Sequence, residues 1–260
     1  MATLVIAGIT LTSAVHFLAT QAHLQRRNGL RLEAQQAMRS SLDAITRDLR
    51  LAGACLPIDG QFVALTGVNA PGGDALTIRT GLVRTNMSCI VSSTTALAPA
   101  GSATLQVASA NGFTTDMLGY VRHPNGSGEI LPISGAGGTA VSFGTGLSQD
   151  YPVGSGVYAI DERTYAVDHA NPDLPLLTLT VNRGLPQAFA GGMRDLQIEY
   201  VLDRNCPPCD RVGVPTDTAE WRLVNSIDLT GTVDTIGSEL PEDQATFVAT
   251  SAAKPRNLLP

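Results

Sequence analysis

At 260 residues and 43% hydrophobic content, the chain is long enough to bury one large core or two small ones. An aromatic fraction of 5% offers little stacking for bases or sugar rings, and a net charge of −6 argues against a nucleic-acid module, which needs a basic face. The charge is unevenly placed: Arg26, Arg27, Arg31, Arg39, Arg47 and Arg50 stand against Glu33, Asp43 and Asp48, a balance of +3 that leaves −9 on the remainder.

Residues 1–25 contain no Asp, Glu, Lys or Arg. A run of about 22 apolar or small residues before "HLQRR" can cross a bilayer as a helix. A signal peptide would begin with a positive segment, which is absent here, and core helices are rarely uncharged for so long. A membrane helix is the favoured reading. Arg26 and Arg27 at its end would by themselves hold that end in the cytoplasm. The paired cysteines and the acidic Gly/Ser/Thr-rich body with its single lysine, Lys254, look exported instead. A cationic leader ahead of Met1 would remove the conflict, so the sequence reads as incomplete at its start.

The helix is expected to continue past Arg27. No proline occurs before Pro57, and Gly29 costs only about 1 kcal/mol relative to alanine. In "MRSSLDAITRDLRLAG", Met38, Leu42, Ile45, Leu49 and Ala52 fall in steps of four, three, four and three, a single apolar stripe. One helix is predicted from near residue 3 to about 52: a naked apolar half over 1–22, an amphipathic half over 23–53 laid on a globular body, and a stop at Gly53.

From residue 54 the period changes. Runs such as "ALTIRTG", "ATLQVAS", "GEILPIS", "TAVSFG", "GVYAI", "RTYAVD", "LLTLTVNR", "LQIEYVLD" and "WRLVNSIDLTG" are bounded by Gly, Pro, Asn and Asp, the pattern of antiparallel strands and hairpins. Residues 54–260 therefore read as a β-rich head, and the fold class is α+β. From about residue 237 the chain reads as an irregular tail.

The four cysteines, Cys55, Cys89, Cys206 and Cys209, suit two disulfides in an exported protein better than zinc, because only one CxxC is present and the four histidines are scattered. A Cys55–Cys89 bond would tie the helix end to the sheet. "CPPC" lacks the strand-to-helix setting of a redox motif and reads as a small staple. "SGAGGTA" matches GxGxxA at Gly135, Gly137 and Ala140, but no helix follows it. Asn86 and Asn125 sit in glycosylation-like triplets. Asp161, Glu162 and Asp168, or Asp228, Asp234 and Glu239, could face calcium, yet none follows an EF-hand register. No nucleophile, base and orienting group emerge together, so neither an enzyme nor a cofactor is expected.

An apolar helix, an amphipathic continuation ending "LDAITRDLRLAG", a cysteine shortly after and then β-structure resemble the type IV pilin-like superfamily, and most nearly its PilW-class minor pilins. The likeness rests on Leu42, Ile45, Arg47, Asp48, Leu49, Arg50, Ala52 and Gly53, and more loosely on Leu196, Gln197, Tyr200 and Trp221 in two strand phrases. It is poor over residues 90–155. The leader, cleavage point and glutamate of a pilin start are absent, and a tight CxxC replaces the usual C-terminal disulfide loop.

The resemblance implies a non-catalytic minor pilin that primes pilus assembly at or near the tip. Its head would sit in the periplasm of a Gram-negative bacterium while the helix stays in the inner membrane, and it would later join the extracellular pilus. Leu4, Val5, Ile6, Ile9, Leu11, Val15, Phe17 and Leu18 would then form the membrane and filament-core surface, with Met38, Leu42, Ile45, Leu49 and Ala52 packing on the head. Implied partners are other minor pilins, the major pilin and a large tip adhesin, with no nucleic acid. A J-class pseudopilin of type II secretion shares the architecture. A membrane-tethered exported enzyme or binding protein is the rival from another class.

Overall fold

The computed structural model describes residues 2–57, 61–235 and 246–255, with side chains described from residue 14 onward. Helix α1 (Ala2–Leu51) runs fifty residues without a break, through Gly29. Arg50 lies in its last turn, where a cation complements the helix dipole. The helix stops where expected. Gly53 takes φ +76°, the left-handed conformation that glycine adopts without penalty, and its N–H donates to Arg79 O at 2.9 Å.

The first sheet has ten strands, all antiparallel: β1 (Leu65–Val68), β2 (Ala75–Gly81), β3 (Val91–Ser93), β4 (Thr104–Gln106), β5 (Leu118–Arg122), β6 (Gly128–Gly137), β7 (Ala140–Phe143), β8 (Gly156–Asp168), β9 (Leu176–Val181) and β10 (Gln187–Gly191). Its path is β1-β2-β8-β5-β6-β7-β4, with β3 and β9 also on β8 and β10 on β9. The second sheet orders β12 (Asp210–Val212), β11 (Met193–Leu202), β13 (Val224–Asp234) and β14 (Thr246–Ala253). A short helix α2 (Thr218–Arg222) precedes β13. The class is α+β.

Strand β8 is the spine of the first sheet. Its first half pairs with β3 and β5, its second half with β2 and β9, so it changes neighbours midway. "GVYAI" and "RTYAVD", read as two strands, are therefore one. Asp161 and Glu162 break the apolar pattern between them, but both carboxylates are held by arginines and the strand continues.

Two further expectations change. Trp221 belongs to α2 rather than to the strand that follows, because Asp217 caps the helix by accepting from Glu220 N at 2.8 Å. The irregular tail gives way over Thr246–Ala253 to β14, which pairs with β13 along its whole length. Its alternation is carried by alanine, serine and threonine, and such small residues mask the period of two.

Residues 90–159 include the stretch 90–155 over which the sequence resemblance is poor. They enclose a second core of their own, including Leu105, Val107, Val121, Ile133, Val141, Phe143 and Tyr151. The first core joins α1 to β2, β8, β11 and β13.

Candidate functional site

The stripe predicted on α1 is the seat of the helix on the head. Met38, Leu42, Ile45, Leu49 and Ala52 are all buried, and Ala34 extends the stripe by one turn. These residues lie against β14 and β13 of one sheet and β10 and β2 of the other, so α1 holds the two sheets together. Thr46 Oγ1 and Ser251 Oγ, 3.0 Å apart, add a polar contact to β14.

The apolar seat has an ionic partner that the sequence reading did not place in it. Asp48 is buried. Its carboxylate accepts from Tyr165 Oη at 2.7 Å and from Arg163 Nη1 at 3.0 and 3.2 Å, while Arg163 Nε donates to Asp161 Oδ2 at 2.8 Å. Burial, then the bond to the Asp48 carboxylate, pushes the Tyr165 hydroxyl well above its usual range, so it stays a donor. A cleft of ≈ 240 Å³ lies beside this triad, lined by Arg47, Asp48 and Leu51 of α1, Ile78 and Thr80 of β2, and Asp161 and Arg163 of β8.

A second buried carboxylate, Glu162, accepts from Arg79 Nε at 2.7 Å and from Arg183 Nε at 3.0 Å. Burial raises its pKa, but the two guanidiniums outweigh that and hold it below the usual carboxylate range. Arg79 Nη1 also donates to Val63 O at 3.0 Å, which pins the chain that leads into β1.

Both expected disulfides form. Cys55–Cys89 fastens the turn after α1 to the loop after β2, with Cα atoms 5.6 Å apart, and Cys206–Cys209 closes the CPPC loop. The chain crosses itself tightly here. A Cβ on Gly81 would fall 2.7 Å from Cys55 Cβ and 2.8 Å from Ala54 O, so only glycine fits.

Opposite in character is the N-terminal part of α1. Every residue from 14 to 26 is exposed, and Val15, Phe17 and Leu18 are 59%, 62% and 65% accessible. Among the described residues no helix is long and apolar enough to cross a membrane. Leu4, Val5, Ile6, Ile9 and Leu11 have side chains outside the described residues.

The calcium candidates separate. Asp161 and Glu162 are taken by arginines, Asp228 pairs with Arg211 and Asp234 with Arg194, and Glu239 lies outside the described residues. Among the described residues no group of His, Cys, Asp or Glu could hold a metal ion. Asn86 and Asn125 each accept from a serine two residues on in an exposed turn, at 2.6 and 2.7 Å. Gly135 and Gly137 lie in β6, not before a helix.

Of the functional features, sequence reasoning missed Asp48 with Arg163 and Tyr165, and Glu162 with Arg79 and Arg183. The signals for Asp48 were its place inside the helix-end phrase and its spacing, three residues after Ile45 and four before Ala52.

No protein-family model matches the sequence, and no curated protein matches it. Among solved structures, a type IV-like pilin from Thermus thermophilus is similar, at a TM-score of 0.42 and 12% identity over 86% of this chain and 97% of that one.

Proposed function

We propose that the chain is a non-enzymatic subunit of a type IV pilin-like filament, a minor pilin that joins other minor pilins and the major pilin in priming assembly at or near the tip. One observation carries the reading. The buried stripe of a fifty-residue helix begins at Ala34, while Val15, Phe17 and Leu18 project from residues 14–26, in which every side chain is exposed. Burying these three side chains from water favours association by roughly 1.5–3 kcal/mol each. Such a helix needs another apolar surrounding. The inner membrane provides one before assembly, and the helices of sister subunits provide another afterwards, so the exchange between them need not wet the helix.

In this reading the head is exported, its disulfides form outside the cytoplasm, and it ends on the surface of an extracellular filament, where a tip adhesin is a further partner. The seat of α1 keeps the head rigidly attached to the part that assembles. The test replaces residues 1–22 with an unrelated membrane anchor in cells. Loss of the protein from sheared filaments, with a normal level of membrane-bound head, is the expected result. Full retention of function would make the helix a mere tether and overturn the proposal.

A further inference from the structure

A disulfide that holds a fold together is shielded from solvent or closes a long loop that nothing else closes. Cys55–Cys89 meets the second condition, across a separation of 34 residues. Cys206–Cys209 meets neither. Its cysteines stand three positions apart, Cys206, Pro207 and Pro208 are exposed, and Cys209 is half-buried.

The loop it spans is already shut at its base. β11 and β12 pair as far as Leu202↔Asp210. Beside that rung Asp210 N donates to Arg204 O at 3.3 Å. The Asp210 carboxylate accepts from Arg204 Nε at 2.6 Å and from Asn205 Nδ2 at 3.0 Å. Arg204 Nη1 reaches on to Glu220 Oε1 of α2 at 2.7 Å. Exposed ion pairs are individually weak, but here two donors converge on one carboxylate beside a backbone rung. None of these contacts passes through sulfur. By linkage, a fold protects a disulfide by as much as the disulfide stabilises the fold. A bond that the fold does not need is one that it does not shield.

We propose that Cys206–Cys209 is a thiol–disulfide exchange site for a dithiol, while Cys55–Cys89 remains bonded. Exposure sets the order of steps. A donor thiolate attacks the accessible Cys206 Sγ and forms a mixed disulfide. The Cys206–Cys209 bond breaks, and its electron pair leaves on Cys209 Sγ, which takes up a proton. The donor's second thiol, having lost its proton, then attacks the donor sulfur and releases Cys206 as a thiolate, which is protonated in turn. The chain gains two electrons and two protons, and the dithiol becomes a disulfide. Arg204 and Asp210 keep the ends of the open loop together, so the two thiols stay within reach and an oxidised partner can close them again. The motif lies between strands β11 and β12 rather than at the start of a helix. It therefore lacks the setting that activates a redox enzyme's own cysteine, and here it is the substrate of exchange rather than its catalyst. Nothing in this exchange requires the filament reading, and its test uses no filaments.

The experiment takes the full chain in detergent, with both disulfides formed, and adds limiting dithiothreitol or reduced thioredoxin at neutral pH. Acid quenching, alkylation and mass spectrometry then measure free thiol at each cysteine. Cys206 and Cys209 should open faster than Cys55 and Cys89 by about tenfold or more, with the near- and far-ultraviolet circular dichroism unchanged. A thioredoxin lacking its second cysteine should be caught on Cys206. Opening by dithiothreitol alone supports exchange with small dithiols, and opening by both reagents supports a protein donor as well. Equal rates at the two disulfides, earlier opening of Cys55–Cys89, loss of the native spectrum when Cys206–Cys209 opens, or capture on Cys209 instead overturns the proposal.

Discussion

Replacing Asp48 with alanine tests the link between the helix and the spine of the first sheet. The carboxylate is buried and serves two donors, Tyr165 Oη at 2.7 Å and Arg163 Nη1 at 3.0 Å. Removing it orphans the buried tyrosine hydroxyl, at a cost of about 1–3 kcal/mol. Arg163 contributes less. Its side chain is 37% exposed and keeps Asp161 at 2.8 Å, so its share is about 1 kcal/mol after allowing for solvent. The expected loss is about 3 kcal/mol, which lowers the melting temperature of a protein this size by roughly 6–12 °C. Asp48→Asn, which retains an acceptor, should cost about 1 kcal/mol. The assay is thermal unfolding of the detergent-solubilised chain followed by circular dichroism. A double-mutant cycle with Tyr165→Phe should return a coupling of about 1–2 kcal/mol. A loss below 0.5 kcal/mol on an Asp48→Ala substitution (about the scatter of surface changes), or a coupling of zero, would refute the anchor.

Other outcomes follow from the same contacts. Ile45→Ala removes a fully buried side chain at the centre of the seat and should cost about 3–4 kcal/mol by denaturant unfolding. The Cys55→Ser/Cys89→Ser pair opens a loop closed over a separation of 34 residues and should cost about 4 kcal/mol, whereas opening Cys206–Cys209, three residues apart, should cost less than half of that. Because the arginines depress the pKa of Glu162, its contribution is complete above the ordinary carboxylate range and is lost as pH falls through the lower folded value. The stability gap between the native chain and Glu162→Gln should therefore be constant from about pH 7 to 5 and shrink below about pH 4, as measured by unfolding across that range.

The parts of the fold legible in the sequence are those whose cause is local. The stripe from Met38 to Ala52 obeys the helical period, so its burial follows from spacing alone, and Gly53 supplies its stop. The strand runs around β2, β7 and β9 show β-branched residues between turn formers. Asp48 was not legible because its partners stand 115 and 117 positions away, on a strand whose fold-back only the tertiary structure defines. By spacing it stands three residues after Ile45 and four before Ala52, on the flank of the stripe, but its charge hid that place. β14 was hidden by its small residues. Trp221 was misplaced because a hydrophobic pattern does not reveal a cap made by Asp217. Within residues 90–159 the runs at β4, β6 and β7 were legible, β3 and β5 were not, and nothing in their period told that this stretch closes around a second core.

All four cysteines are bonded, so a cysteine introduced at Phe17 would be the sole free thiol. Labelling that residue with a membrane-impermeant maleimide, in whole cells and in sheared filaments, probes the helix surface on which the account rests, with a cysteine at the exposed Met87 as reference. The account predicts that position 17 resists the reagent in both samples while position 87 reacts in both. Equal labelling at the two positions in sheared filaments would contradict it.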